Sequence, residues 1–348
     1  GHLHCRVPSF RDDIEGRADL AEEVMRIYGY DHIIGTPMRG DVVRGKLLPE
    51  RIKTDKIKRL LIANGMYEIT TYSFISSKAI DTLCLADDDP RRQAIKLLNP
   101  LGEEYSTMRT QLTTSMLTVL STNFNRKIPA ARFFEASKCF IADAFPLTKQ
   151  PHEVPTLSIG MYGDSEDFFT LKGVIESIFA AFDVTPTYSV SAEPYLHPGR
   201  QAAATVDGQT LAVFGEVHPQ VADKYDLDTR VYVAEVQLAR LFAIEQKPIH
   251  YKALPRFPAV ERDLALLCDA ALPVAEIEES IRKAGGKLLE TVKLFDVYQG
   301  SQIEEGKKSV AFSLMFRSGE GTLSDEQIAA PLKKIFAALA EKGCNLRS

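Results

Sequence analysis

Val7-Pro8-Ser9-Phe10-Arg11-Asp12-Asp13 is followed closely by Asp19-Leu20-Ala21-Glu22-Glu23-Val24-Met25-Arg26-Ile27-Tyr28-Gly29-Tyr30, and no other stretch of the chain constrains the fold as tightly. A helix opening near Ala18 places Asp19, Glu22 and Glu23 at i, i+3 and i+4 on one exposed face. Leu20, Val24, Ile27 and Tyr28 form the opposite, apolar stripe. Asp13 precedes the helix, after a strand-like Leu3–Val7, close enough to turn towards the same corner. Four converging carboxylates repel one another unless a hard cation neutralises them, and all-oxygen ligation suits Mg2+. The same residues admit a simpler reading. Asp19 is then the N-cap and Glu22 its capping-box partner, with Glu23 and Asp13 solvated near the positive helix end.

Taken whole, the segment closely resembles the end of the small B5 domain of the phenylalanyl-tRNA synthetase beta subunit family. In that family four acids at this spacing bind a magnesium ion shared with the alpha subunit. The resemblance therefore implies Asp13, Asp19, Glu22 and Glu23 as metal ligands.

Composition sets the outer limits. At 348 residues the chain should hold two or three domains. It is 45% hydrophobic and 26% charged, an ordinary globular composition. Five scattered cysteines, with no CxxC spacing, indicate neither a zinc site nor a disulfide framework, and a reducing cytoplasm fits best. No apolar run approaches the ~18 residues of a membrane span, and no signal peptide is visible. A net charge of −5 argues against a broad basic coat, so any RNA contact must be local. The chain lacks an initiator Met and opens in what reads as the middle of a domain, as expected of a C-terminal piece of a longer protein.

Gly35-Thr36-Pro37 and Gly40 mark a linker after the first segment. A helix carrying Ile57, Leu60 and Leu61 then stops at Gly65, and Met66–Phe74 reads as a strand. Helices are expected over Ser115–Phe124 and Phe168–Phe182, and strands over Arg132–Phe140 and Leu157–Tyr162. Leu98-Asn99-Pro100-Leu101-Gly102-Glu103-Glu104-Tyr105-Ser106-Thr107-Met108-Arg109-Thr110 again resembles the synthetase beta subunit. So do Asn123-Phe124-Asn125-Arg126, Arg132-Phe133-Phe134-Glu135, Leu196-His197-Pro198-Gly199-Arg200 and Gly215-Glu216-Val217-His218-Pro219. The resemblance implies a catalytic-like module, a class II synthetase fold on an antiparallel sheet, without activity of its own.

The residues say the same independently. Class II activation needs an arginine on the ATP α-phosphate, usually in an Arg-x-Glu strand, and a second after a glycine-rich strand, where negative charge accumulates. Here Arg132 and Glu135 are one residue too far apart, so a strand sends them to opposite faces. Arg200 follows a single glycine in what reads as a turn. His197 and His218 each precede a proline in similar turns, with no nucleophile motif beside them. Gly285-Gly286 is a helix stop rather than a phosphate loop, and Asp87-Asp88-Asp89 before Pro90 is a solvated turn.

Beyond Tyr251 six elements follow: strand Arg262–Cys268, helix Val274–Ala284, strands Leu288–Tyr298 and Lys308–Arg317, helix Ser324–Lys342 and strand Asn345–Arg347. Ser324 with Gln327 forms a capping box and Gly343 a stop. This βαββαβ order is ferredoxin-like. Tyr251-Lys252-Ala253-Leu254-Pro255-Arg256-Phe257-Pro258 and Leu294-Phe295-Asp296-Val297-Tyr298-Gln299-Gly300 are similar to the family's ferredoxin-fold anticodon-binding domain, which contacts phenylalanine tRNA. Val310, Phe312, Leu314 and Phe316 alternate onto the helix-covered face, with Val292 and Leu294 beside them; Lys293, Phe295 and Arg317 fall on the open face. An aromatic flanked by cations suits stacking on an unpaired base. Packing of Phe295 against another domain stays open equally.

The expected fold class is thus α+β, with a partial B5 domain at 1–36, a linker at 37–48, the class II-like module at 49–247 and the ferredoxin-like domain at 251–348. The resemblance implies the non-catalytic beta side of an α2β2 ligase. Its alpha subunit uses ATP to charge phenylalanine tRNA, while this portion scaffolds alpha, shares Mg2+ and touches tRNA. The competing readings are a stand-alone RNA-binding or assembly protein, and a metal-dependent hydrolase centred on the four acids.

Overall fold

The computed structural model describes residues 1–346 apart from Val43, Gln246, Lys247, Ile249, Lys252 and Ser301. Arg347 at the end of the expected last strand, Lys252 of the expected domain start and Lys247 at the expected module end lie outside the described residues. One compact unit runs to Pro49 and a second from Glu50 onward.

In the first unit, α1 spans Arg17–Tyr28. Gly16, in extended backbone, is its N-cap, and Asp19 Oδ2 accepts hydrogen bonds from the amides of Gly16 (2.7 Å) and Glu15 (3.0 Å). Asp19 therefore sits at the third helical position rather than at the cap, which removes Glu22 from the expected capping pair. Gly29, at φ +110°, ends the helix where a side chain would be strained. Leu3–Val7 forms no strand, because no neighbouring segment offers it a ladder. No α1 residue is buried, and Val24, Ile27 and Tyr28 stay exposed.

All of α2 (Pro49–Ala63) but its first residue lies in the second unit, where the helix buries Ile57 and Leu61. Gly65 stops it at φ +77°, its amide donating to Ile62 O and that of Met66 to Leu61 O. The single strand expected over Met66–Phe74 is two: β1 (Tyr67–Glu68) and β2 (Phe74–Ile75). Then come β3 (Thr107–Met108), α3 (Thr113–Asn125), β4 (Ala131–Ile141), β5 (His152–Tyr162) and α4 (Phe168–Ala181). They are followed by β6 (Thr187–Ser189), β7 (Leu196–Val206), β8 (Gln209–Val217), α5 (Pro219–Lys224), β9 (Val231–Val236) and α6 (Leu238–Ala243).

Seven strands form one sheet in the order β1-β4-β5-β9-β8-β7-β6, antiparallel throughout except for the β1–β4 pair. β1 and β2 part company because β2 pairs with β3 in a separate ribbon. Strand alternation sorts the sheet's faces. Phe134, Ile159, Ala234 and Phe214 stand in one cross-strand row and pack with Leu171, Ile175 and Leu241 of the helices on that side. The other face meets α3 and α5 through Met116, Leu120, Val221 and Val233. Gly160 lies under α3; a Cβ there would stand 2.6 Å from Met116 Cγ, so the missing side chain lets the helix lie close on the strands.

The remaining elements are β10 (Val260–Asp269), α7 (Val274–Gly285), β11 (Leu289–Tyr298), β12 (Lys307–Phe316), α8 (Asp325–Glu341) and β13 (Asn345–Leu346). Their sheet order, β11-β12-β10-β13, is that of a ferredoxin-like βαββαβ fold. Val310, Phe312, Leu314 and Phe316 are fully buried against Ile277, Ile281, Ile335 and Leu339, so the alternation reads correctly. The Ser324–Gln327 capping box forms, the Ser324 amide donating to Gln327 Oε1 at 2.9 Å. Among the described residues no helix is long and apolar enough to cross a membrane.

Candidate functional site

On the α3 face of the seven-stranded sheet, Glu135, Ser158 and Glu235 lie side by side across β4, β5 and β9. Arg109 reaches this row with no exposed surface. Its Nε donates to Lys138 O (3.0 Å), Nη1 to Thr71 Oγ1 (2.8 Å) and Glu135 Oε1 (3.2 Å), and Nη2 to Ser137 Oγ. A guanidinium held from four sides cannot swing out to clamp a phosphate. Glu235, also buried, accepts from the Leu112 amide (3.1 Å) and the Thr113 hydroxyl (3.2 Å) at the first turn of α3. Burial pushes its carboxyl above the usual range, and these hydrogen bonds oppose the rise. The face is a filled polar core rather than an open site.

Arg132 and Arg200 are engaged as well. Arg132 leaves by the opposite face, as expected, and its Nε pairs with the buried Glu166 at 2.9 Å. Arg200 lies in β7, not in a turn, and grips Glu216 with Nε (2.6 Å) and Nη2 (2.8 Å). The turn-like run around it is a register shift of the β7–β8 ladder between Leu196 and Gln201. His197, within that shift, accepts on Nδ1 from the Gly199 amide, and His218 caps α5 by accepting from the Gln220 amide. Both histidines hold backbone.

The four acids of the first unit are not gathered. Arg11 takes Asp13 through Nε (2.9 Å) and Nη2 (2.6 Å), and reaches Glu23 through Nη2 (2.6 Å). Arg26 pairs with the other Glu23 oxygen at 2.6 Å. These guanidiniums hold both Asp13 and Glu23 down to about 2. Asp19 is turned to the helix cap and Glu22 to solvent. Among the described residues no three His, Cys, Asp or Glu side chains come together as a metal cage would require.

In the ferredoxin-like sheet, Val292 faces Leu314 and Leu294 faces Phe312, while Lys293 faces Ser313 on the open side. A register shift between Leu294 and Asp296 leaves Phe295 without a cross-strand partner, and it is 54% exposed. The bulge on this edge strand also leaves Leu294 38% exposed, although its side is the helix-covered one. Arg317 is tied by Nε to Glu290 (2.7 Å) and by Nη1 to Phe257 O (2.6 Å), whereas Lys293 makes no ion pair among the described residues.

Residues 33–238 match the family model of the phenylalanyl tRNA synthetase beta chain CLM domain. The chain belongs to the phenylalanyl-tRNA synthetase beta chain family. Two further models flank that match, the tRNA synthetase B5 domain at residues 1–30 and the ferredoxin-fold anticodon binding domain at 255–347. The phenylalanine–tRNA ligase beta subunit of Clostridium tetani is 42% identical over 99% of this chain and 44% of its own length. That of Clostridium acetobutylicum is 39% identical over 95% of this chain and 42% of its own length. The chain thus spans less than half the length of these curated relatives. A solved structure, the pyrrolysyl-tRNA synthetase from Desulfitobacterium hafniense, matches 65% of this chain and 74% of its own at 14% identity and a TM-score of 0.45.

Within this synthetase beta chain fold, sequence reasoning missed Arg109, Glu235 and Gly160. A signal for the first was present. Arg109 is the one charged residue between Thr107 and Asn125, a run otherwise of apolar, hydroxyl and amide side chains, and a lone charge in such a run asks for a buried partner.

Proposed function

We propose that the chain supplies the non-catalytic beta-subunit portion of a cytoplasmic phenylalanine–tRNA ligase. In an α2β2 assembly the alpha subunit charges phenylalanine tRNA with ATP, and this portion holds alpha and contacts the tRNA. The observation that carries the reading is the α3 face. That face is filled by a buried Arg109–Glu135 pair at 3.2 Å, which leaves neither group free for a nucleotide. The domain division at 1–36, 37–48, 49–247 and 251–348 belongs to the same reading, as do Lys293, Phe295 and Arg317 as tRNA contacts.

Mg2+ ligation by Asp13, Asp19, Glu22 and Glu23 is supported by the likeness of residues 1–30 to the B5 domain together with their spacing. As arranged, the acids do not fit a divalent cation, because Arg11 already neutralises two of them and Asp19 is turned to the helix. No step is therefore routed through the metal.

The test is to mix the chain with a synthetase alpha subunit and measure assembly and tRNA charging together. A heterotetramer that charges phenylalanine tRNA is expected. Failure to associate under any condition sinks the scaffold reading, and metal-dependent hydrolysis by the chain alone would favour a hydrolase instead.

A further inference from the structure

A cavity of about 800 Å³ opens between α3, β2 and the segment that carries Glu104 and Tyr105. Its walls are Phe74, Ile75, Val119 and the rings of Tyr72 and Tyr105, which meet edge to face at 5.4 Å. The polar groups facing it are hydroxyls and one carboxylate. Thr118 donates its hydroxyl proton to Thr114 O and keeps its lone pairs free. Ser115 is 8% exposed and its hydroxyl has no partner among the described residues. Glu104 is the one charged residue of the lining, with no ion pair among the described residues, and no Lys, Arg or His joins it.

Such a lining is rich in hydroxyls, aromatic, and carries one negative charge with no cation beside it. Tyrosine faces attract a cation through their quadrupole, and the exposed Glu104 carboxylate adds a solvent-screened negative charge at the mouth. The volume falls in the range of small-molecule sites. A free amino acid is a poor fit, because its carboxylate would find no cation in the lining. We infer that this cavity is a binding site for a primary ammonium group carried on an apolar stem, with Tyr72, Tyr105 and Glu104 around the charge and Ser115 accepting from it. The stem rests on Ile75, Phe74 and Val119. The ammonium comes either from a free amine or from a lysine side chain presented by another chain, and the chemistry is the same.

The chain has no Trp, so emission comes from its 12 tyrosines, and Tyr72→Phe with Tyr105→Phe identifies the part of the change that belongs to the cavity. The 348-residue chain is titrated with phenethylamine, with its neutral isostere phenethyl alcohol, and with N-acetyl-lysine methylamide, by tyrosine fluorescence and by calorimetry. At least one amine is expected to saturate, and to bind about threefold more weakly to Glu104→Gln, since the exposed carboxylate is partly screened by solvent. Glu103→Gln, whose carboxylate accepts from Ser77 Oγ, is the matched control and should leave binding unchanged. Saturation by N-acetyl-lysine methylamide alone assigns the site to a partner's lysine, and saturation by phenethylamine assigns it to a free amine. Equal affinity for the alcohol, an unchanged constant in Glu104→Gln, or no saturation by either amine overturns the assignment.

Discussion

Arg109 decides the chemistry of the middle module at the scale of one residue. A cation without exposed surface is tolerable only because Glu135, itself buried, stands 3.2 Å away and hydroxyl and carbonyl oxygens take the remaining donors. Removing one partner leaves an uncompensated charge. Arg109→Met is therefore expected to destabilise the fold by about 3–5 kcal/mol, read as a lower urea midpoint, while Arg109→Met with Glu135→Gln should recover part of the loss. Arg11 gives a second test. Asp13 and Glu23, held to about 2, carry stabilisation that is complete above the ordinary carboxylate range and disappears as pH falls from about 4 through 2. Carboxyl resonances followed by NMR should titrate near 2, and Arg11→Ala should return both towards ordinary values. Unshifted titrations in the native chain would remove Arg11 from the role of local cation. The pairing was hidden in the sequence because Arg11 and Glu23 stand 12 positions apart and meet only through the turn between them.

At the scale of elements, α3 closes the sheet because Gly160 offers it a notch. Gly160→Ala should push Met116 and Leu120 off the strands and cost about 1–3 kcal/mol, measured by denaturation. What could be read beforehand and what could not divide along a physical line. The period-two burial of Val310 to Phe316, the Ser324–Gln327 cap and the glycine stop after α2 are local, and local chemistry settles them. The split between β1 and β2, the β7 ladder shift around Arg200 and the β11 bulge are choices made by partner strands far along the chain. That bulge is what makes Phe295 interesting. An aromatic freed from its ladder on an edge strand can stack on a base, at about 1–3 kcal/mol. In an assembled ligase, Phe295→Ala is expected to weaken tRNA binding by roughly that energy, measured by filter binding. Unchanged affinity returns Phe295 to packing against protein. Arg317→Ala should instead loosen the domain, since its guanidinium already holds Glu290 and the Phe257 carbonyl.

For the molecule as a whole, the question is whether it can activate an amino acid unaided. Adenylate formation concentrates negative charge on the α-phosphate, and losing even one preorganised donor in such a site lowers the rate by about 10²–10³. Three arginines in or beside the seven-stranded sheet are already engaged. Arg109 is sealed, Arg132 leaves by the other face to meet Glu166, and Arg200 is clamped by Glu216. Freeing any one of them would expose a buried carboxylate, so no small motion opens the site. The chain alone is therefore expected to give no pyrophosphate exchange from ATP and phenylalanine, and charging should appear only when an alpha subunit is added. Within that assembly Arg109→Met should reduce the amount of folded complex and leave kcat per complex unchanged, because the residue holds the scaffold and touches no substrate. A fall in kcat at constant assembly would mean that the filled face takes part in the chemistry after all.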